Sequence, residues 1–170
     1  MALDFKKLTL QDALDLAILV EQEARERYEE FAYQMSTHAT PAAADFFRLM
    51  MTYEAKHATQ LAARREALFG SAAVRVNRND LWDVEAPEYD EARAFMSAKS
   101  AMAVALEAER KAFRFFDDAL HSITDANVRA LFEELREDER HHEALVIEAI
   151  SKQPDDAAGA QFEGDEPVAQ

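Results

Sequence analysis

Two segments of the chain, Glu54-Ala55-Lys56-His57 and Glu139-Arg140-His141-His142, share the spacing Glu-x-x-His, and each follows an isolated glutamate some thirty residues upstream, Glu21 and Glu109. On a helix, positions three apart lie about 60° from each other around the axis, so the carboxylate and imidazole of each unit can reach one point. All six residues sit where an apolar seam should run. A carboxylate at such a position costs several kcal/mol unless something compensates it. The fold must therefore be helical through four separate stretches and must bring their seams, and the acids within them, to one place.

Composition agrees with long helices. Three glycines and four prolines in 170 residues allow few turns, and the abundant Ala, Leu, Glu and Arg are strong helix formers. This length is one ordinary domain with a real core. The absence of cysteine excludes disulfides, thiolate nucleophiles, iron–sulfur clusters and zinc ribbons, so a bound metal must be held by oxygen and nitrogen. A net charge of −15 repels nucleic acid and anionic membrane and attracts cations. With no apolar run near ~20 residues and no signal-like start, the expectation is a cytoplasmic protein with neither nucleic-acid nor membrane partners.

Taken in order, Thr9 and Asp12 make an N-terminal cap with Leu8 as a staple, and a first helix runs to about His38. Its seam reads Leu10, Leu14, Ala17, Ala24, Tyr28, Phe31 and Met35, interrupted by Glu21. Thr40-Pro41 starts a second helix that Gly70 stops, with Ala43, Phe47, Met50, Leu61 and Leu68 around Glu54 and His57. Residues 71–87 show no helical period, and at ~3.3 Å per residue they can span ~55 Å, the full height of a bundle. A third helix from about Glu88 to Ser122 carries Ala98, Met102, Ala105, Ala112, Phe116 and Ala119 around Glu109. Thr124-Asp125 caps a fourth, ending near Ser151, with Val128, Phe132, Leu135, Val146 and Ala149 around Glu139 and His142. The predicted architecture is all-α over residues 1–152, a four-helix bundle with a long connection between its second and third helices. Residues 153–170, with five acids and no bases, read as a disordered tail.

Helix heights test whether the six groups meet. In antiparallel pairs Glu21 and Glu54 differ by ~6 Å of rise and Glu109 and Glu139 by ~3 Å, level within the uncertainty of helix ends. The halves also repeat: Glu21-x-x-Ala24 with Tyr28 matches Glu109-x-x-Ala112 with Phe116. Four buried carboxylates repel one another, whereas two divalent ions bring +4 against their −4. The metal-free bundle should then show raised carboxylate pKa values and lower stability.

At Glu21-Gln22-Glu23-Ala24-Arg25-Glu26-Arg27-Tyr28, and again from Val128 to His142, the chain resembles the ferritin-like superfamily and, within it, the di-iron domain of rubrerythrins and related erythrins. The resemblance covers roughly residues 8 to 151. It implies a ferritin-like bundle in which Glu54 and Glu139 bridge two irons, His57 and His142 each bind one, and Glu21 and Glu109 are terminal ligands. Two departures stand out. A chain without cysteine cannot hold the rubredoxin domain of rubrerythrins proper, and the extra glutamate many of them carry on the third helix is replaced here by Leu106 or Ala112, with Glu107 projecting elsewhere.

An oxygen-rich site with one imidazole per ion suits two iron ions, or manganese or a mixed pair, with zinc adventitious. One function that follows is an oxidoreductase that oxidises Fe(II) with reduction of hydrogen peroxide or dioxygen, supplied by an external electron donor when it turns over. A second is iron binding and storage feeding a mineral or a partner, and a third a non-catalytic helical interaction module. A homodimer or larger homo-oligomer is expected. Tyr28 either hydrogen-bonds a ligand or carries a radical, or is a core residue with a wet hydroxyl. Asp138 is read as an exposed helix-surface residue rather than a partner of an imidazole. His38 and His141 are expected to face solvent, and His121 to cap the third helix.

Overall fold

The computed structural model describes residues 4–37, 40–76 and 96–154. Among the described residues there are four helices: α1 (Leu10–Thr37), α2 (Pro41–Phe69), α3 (Ala98–Leu120) and α4 (Ala126–Ser151). Each start has a local cause. The Thr9 hydroxyl accepts the Asp12 amide at 3.2 Å, Ser97 accepts Ser100 N at 3.0 Å, and Asp125 accepts Asn127 N and Val128 N at 2.8 and 3.0 Å. Thr40 departs from expectation. Its side chain caps nothing, and the hydroxyl reaches Met96 O at 3.4 Å, leaving Pro41 to set the first turn of α2. Gly70 ends α2 with φ of 54°, a left-handed conformation that disfavours a side chain, while its N–H returns to Glu66 O.

Contacts between ends fix the topology. Asp15 near the start of α1 meets Arg65 near the end of α2, so these helices are antiparallel. Arg136 and Arg110 pair with Asp117 and Glu143, which makes α3 and α4 antiparallel. Arg64 with Glu134, and Glu54 with His142, set α2 against α4 in the same sense. It follows that α2 and α3 run parallel, so the end of α2 and the start of α3 lie at opposite ends of the bundle. The two described ends of the connection confirm this: Gln11 donates to Ala73 O at the α1 start, whereas Met96 lies beside Thr40 at the α1 end. The result is an all-α ferritin-like bundle. No described helix is long and apolar enough to cross a membrane.

Two apolar clusters fill the interior. One joins Leu14, Leu16, Val20, Phe116, Val128, Leu131, Phe132 and Leu135, and Phe5 closes it by edge contacts with Phe115 and Phe132. The other joins Tyr28, Phe31, Met35, Phe47, Met50, Met102 and Val146. Most seam positions read from the periodicity are buried. Leu68 is corrected: it is 54 % exposed, and Arg65, one turn earlier, turns inward in its place. The third helix is corrected too, because Met96 and Ser97 are not helical and Ser97 caps a start at Ala98 rather than near Glu88. Residues 77–95 with Trp82, His38, and the tail from 155 onward lie outside the described residues.

The buried pair Asp15–Arg65 has no counterpart in the periodicity. Arg65 Nε donates to Asp15 Oδ1 at 2.8 Å, and the guanidinium also donates to the carbonyls of Gly70 and Ala72. One side chain thereby ties α1 to α2 and holds the chain as it leaves α2. Asp15→Ala leaves that guanidinium buried without its counter-charge, and a loss of roughly 3–5 kcal/mol is expected in urea denaturation. Asp15→Ala with Arg65→Met should recover much of it, and a single substitution costing under ~1 kcal/mol would show that the pair does not hold the helices.

Candidate metal centre

Between the two apolar clusters lies a single polar layer. Glu21 follows Val20 and precedes Ala24 on α1; Glu54 and His57 fall between Met50 and Leu61 on α2; Glu109 lies between Ala105 and Phe116 on α3; Glu139 and His142 lie between Leu135 and Val146 on α4. The apolar steps of three and four that build the bundle therefore carry these six side chains inward at one height. Glu21, Glu54, Glu109, Glu139 and His142 are each at most 1 % exposed. His57 is the exception, at 17 % of its side chain.

The geometry pairs the groups across helices. His57 Nδ1 lies 3.8 Å from Glu21 Oε2. His142 Nδ1 faces three carboxylates, Glu109 at 3.3 Å, Glu54 at 3.4 Å and Glu139 at 3.8 Å. The two imidazole rings stack with centroids 5.0 Å apart and planes 10° from parallel. Donor atoms of Glu54, His57 and His142 converge within 4.8 Å, as do those of Glu109, Glu139 and His142. All six residues singled out by spacing share this layer.

The surroundings of the six include features that the sequence left open or hid. Tyr28, fully buried and stacked on Phe47, donates its hydroxyl proton to Glu109 Oε1, so it is a partner of the layer rather than a wet core residue. Asp138 is corrected: it is half-buried and lines a cavity with His57, where the expectation was an exposed surface. Its place four residues before His142 was the available signal. Tyr53, half-buried, lies with its ring 5.9 Å from that of His142, and no spacing rule announces it beyond its adjacency to Glu54. Glu107 points outward to Arg110, His141 is exposed, and His121 caps α3 with Nδ1 3.0 Å from Asp117 O.

Burial sets the ionisation of Glu21, His57 and Asp138. It pushes the Glu21 carboxyl up to about 7, and the Glu54 carboxyl and the His142 charge offset only part of that. Burial likewise lowers His57 and raises Asp138. His142 is raised, because burial, which lowers it, is outweighed by Glu109 and the other carboxylates around the ring. Both Glu21 oxygens and Nδ1 of His57 are shut off from solvent and make no well-formed hydrogen bond among the described residues. Such groups need a partner. A donor set of four carboxylates and two imidazoles, with no sulfur, fits two divalent iron-type ions, which would neutralise the −4 of the ionised carboxylates.

The same shifts set the behaviour of metal-free protein. Folded, Glu21 keeps a proton up to about 7 that the unfolded chain releases from 4.5 upward, so its contribution is present at low pH and is lost as pH rises through that window. Asp138 and His142, both raised, slope the same way, and His57 opposes them. Denaturant titrations of metal-free protein should show about 2 kcal/mol less stability at pH 7.5 than at pH 5.5. Saturating divalent metal should reverse the slope, since ligands bind deprotonated. A profile that is flat or rises with pH in the metal-free protein would contradict the account.

Comparison with known proteins is consistent with this picture. No curated protein matches the chain. Among solved structures, an uncharacterised conserved protein from Magnetospirillum magnetotacticum MS-1 superposes with a TM-score of 0.72 at 24 % identity, covering 89 % of this chain and 100 % of the other, which shows a shared fold. The family model described as Rubrerythrin matches residues 12–149, a span that contains every residue of the polar layer. The chain belongs to the rubrerythrin family.

Proposed function

We propose that this protein is a di-iron oxidoreductase that oxidises Fe(II) while reducing hydrogen peroxide or dioxygen. The observation that carries the reading is the layer itself: four carboxylates and two imidazoles gathered from four helices between two apolar clusters. Glu21 and His57 would hold one ion, Glu109 and His142 the other, with Glu54 and Glu139 between them, in keeping with the cross-helix proximities of each set. When bound, a ferrous pair supplies two electrons, enough to take one peroxide and two protons to two waters.

The chain's own residues have definite tasks. The apolar clusters above and below exclude bulk water, which strengthens every charge interaction inside. Phe116 and Phe132 close one side and Phe47 and Met50 the other. Tyr28 holds Glu109 through its hydroxyl, fixing one oxygen of that carboxylate and leaving the second directed at His142. His142, raised by the carboxylates around it, can keep a proton at Nδ1 in the metal-free state and must release it to bind. His57 is the one member that solvent reaches, so exchange with the exterior runs along its edge.

Anaerobic protein loaded with Fe(II) and mixed with peroxide tests the reading. Stopped-flow absorbance should show rapid peroxide loss with two iron ions oxidised per peroxide. Glu54→Ala should slow the loss by at least ~100-fold, more than is typical for residues that only support ligands. Loss that is slow in the native protein, or unchanged by Glu54→Ala, would refute it.

A further inference from the structure

Five of the six layer residues are sealed, and the sixth opens onto a cavity of about 60 Å³. That is room for more than one water molecule, each of which needs roughly 10–15 Å³. Its walls come from α2 and α4, and they form rungs. The inner rung is His57 with Asp138, the middle one Leu61 with Leu135, and the outer one Arg64 with Glu134, whose Nη1 and Oε2 lie 2.9 Å apart. The antiparallel order of the two helices ranks these rungs by their distance from the layer along α2 and α4.

We propose that this cavity is the port through which divalent cations reach the buried layer, with Asp138 as the carboxylate that takes the ion from water and passes it to His57. The proposal rests on the reading of the six residues as metal ligands. Three observations support it. Asp138 lines the same cavity as the one layer residue that solvent reaches, half-buried but not part of the layer. Leu61 and Leu135 line the middle of the cavity with Gln60 as a polar neighbour there, so an ion passing them loses part of its water and needs a charge waiting beyond. The outer rung is an ion pair that is neutral as a whole, with Arg64 39 % and Glu134 57 % exposed, so it can part without exposing a buried charge. The net charge of −15 gathers cations to the surface in general, and this rung selects where they enter.

A port differs from a binding residue in its kinetics. A group on the path lowers the barrier in both directions and leaves the equilibrium alone, whereas a group that orients a ligand changes dissociation and affinity. Full-length metal-free protein is mixed with Co(II), uptake is followed by the visible absorption of the bound ion, and release by a chelator chase. In the native protein two Co(II) should bind per chain. Asp138→Asn should slow uptake and release alike, on the order of 10-fold, with affinity unchanged within about twofold. Arg64→Gln, which removes the positive charge at the mouth, should speed uptake, Glu134→Gln should slow it, and Asp45→Asn, an exposed acid paired with Arg48, should leave it unaltered. The exposed positions of Arg64 and Glu134 keep the test valid if Asp138→Asn fails to fold. Faster release at unchanged uptake in Asp138→Asn would overturn the proposal, as would equal slowing by Asp45→Asn. Native protein that binds no Co(II) would instead refute the metal-site reading beneath it.

Discussion

The constraint on which the structure depends is the burial of four carboxylates and two imidazoles at one height between two apolar clusters. Each ionised carboxylate costs several kcal/mol to bury without compensation, and their mutual repulsion adds to it. The molecule tolerates this by dividing its apolar packing into two clusters, one on each side. Each of those clusters packs residues of all four helices against one another. The layer in turn makes stability sensitive to protons and to metal, since either removes the charge that packing alone cannot.

Because each helix contributes at most two of the six groups, the centre exists only when all four are in register. The devices that set register lie away from it. Asp15 and Arg65 lock α1 against α2 at one end, and the same guanidinium grips the carbonyls of Gly70 and Ala72 as the chain departs. Arg136 with Asp117 and Arg110 with Glu143 align α3 against α4. Tyr28 spans between the two pairs through its hydrogen bond to Glu109. The path from sequence to chemistry thus runs through packing: periodicity makes helices, end-to-end contacts set their heights, and the heights make the centre.

Much of this was legible in the amino-acid sequence because its signals are local or periodic. Seams with steps of three and four identified four helices, and counting residues from caps to acids placed Glu21 level with Glu54 and Glu109 level with Glu139. What escaped depends on contacts between elements. Arg65 carries no signal in the spacing, which points to Leu68 instead, until α1 brings Asp15 to it. Asp138 reads as a surface acid until α2 places His57 across a shared cavity. Tyr28 lies on the α1 seam in any reading, but its hydrogen bond depends on how close α3 passes. Ser97 as a cap was hidden by a run of helix formers upstream of it, which spacing alone carries through to Glu88. Charge and spacing predict which groups must meet, while the partners that orient them are set by packing.

The claim that the buried acids are there to hold two cations has a direct measurement. Metal-free protein is titrated anaerobically with Fe(II), freed of loosely held metal by gel filtration, and analysed for iron per chain. The account predicts two iron ions retained per chain in the native protein and at most one after Glu54→Ala. Retention of less than one iron per native chain would contradict it.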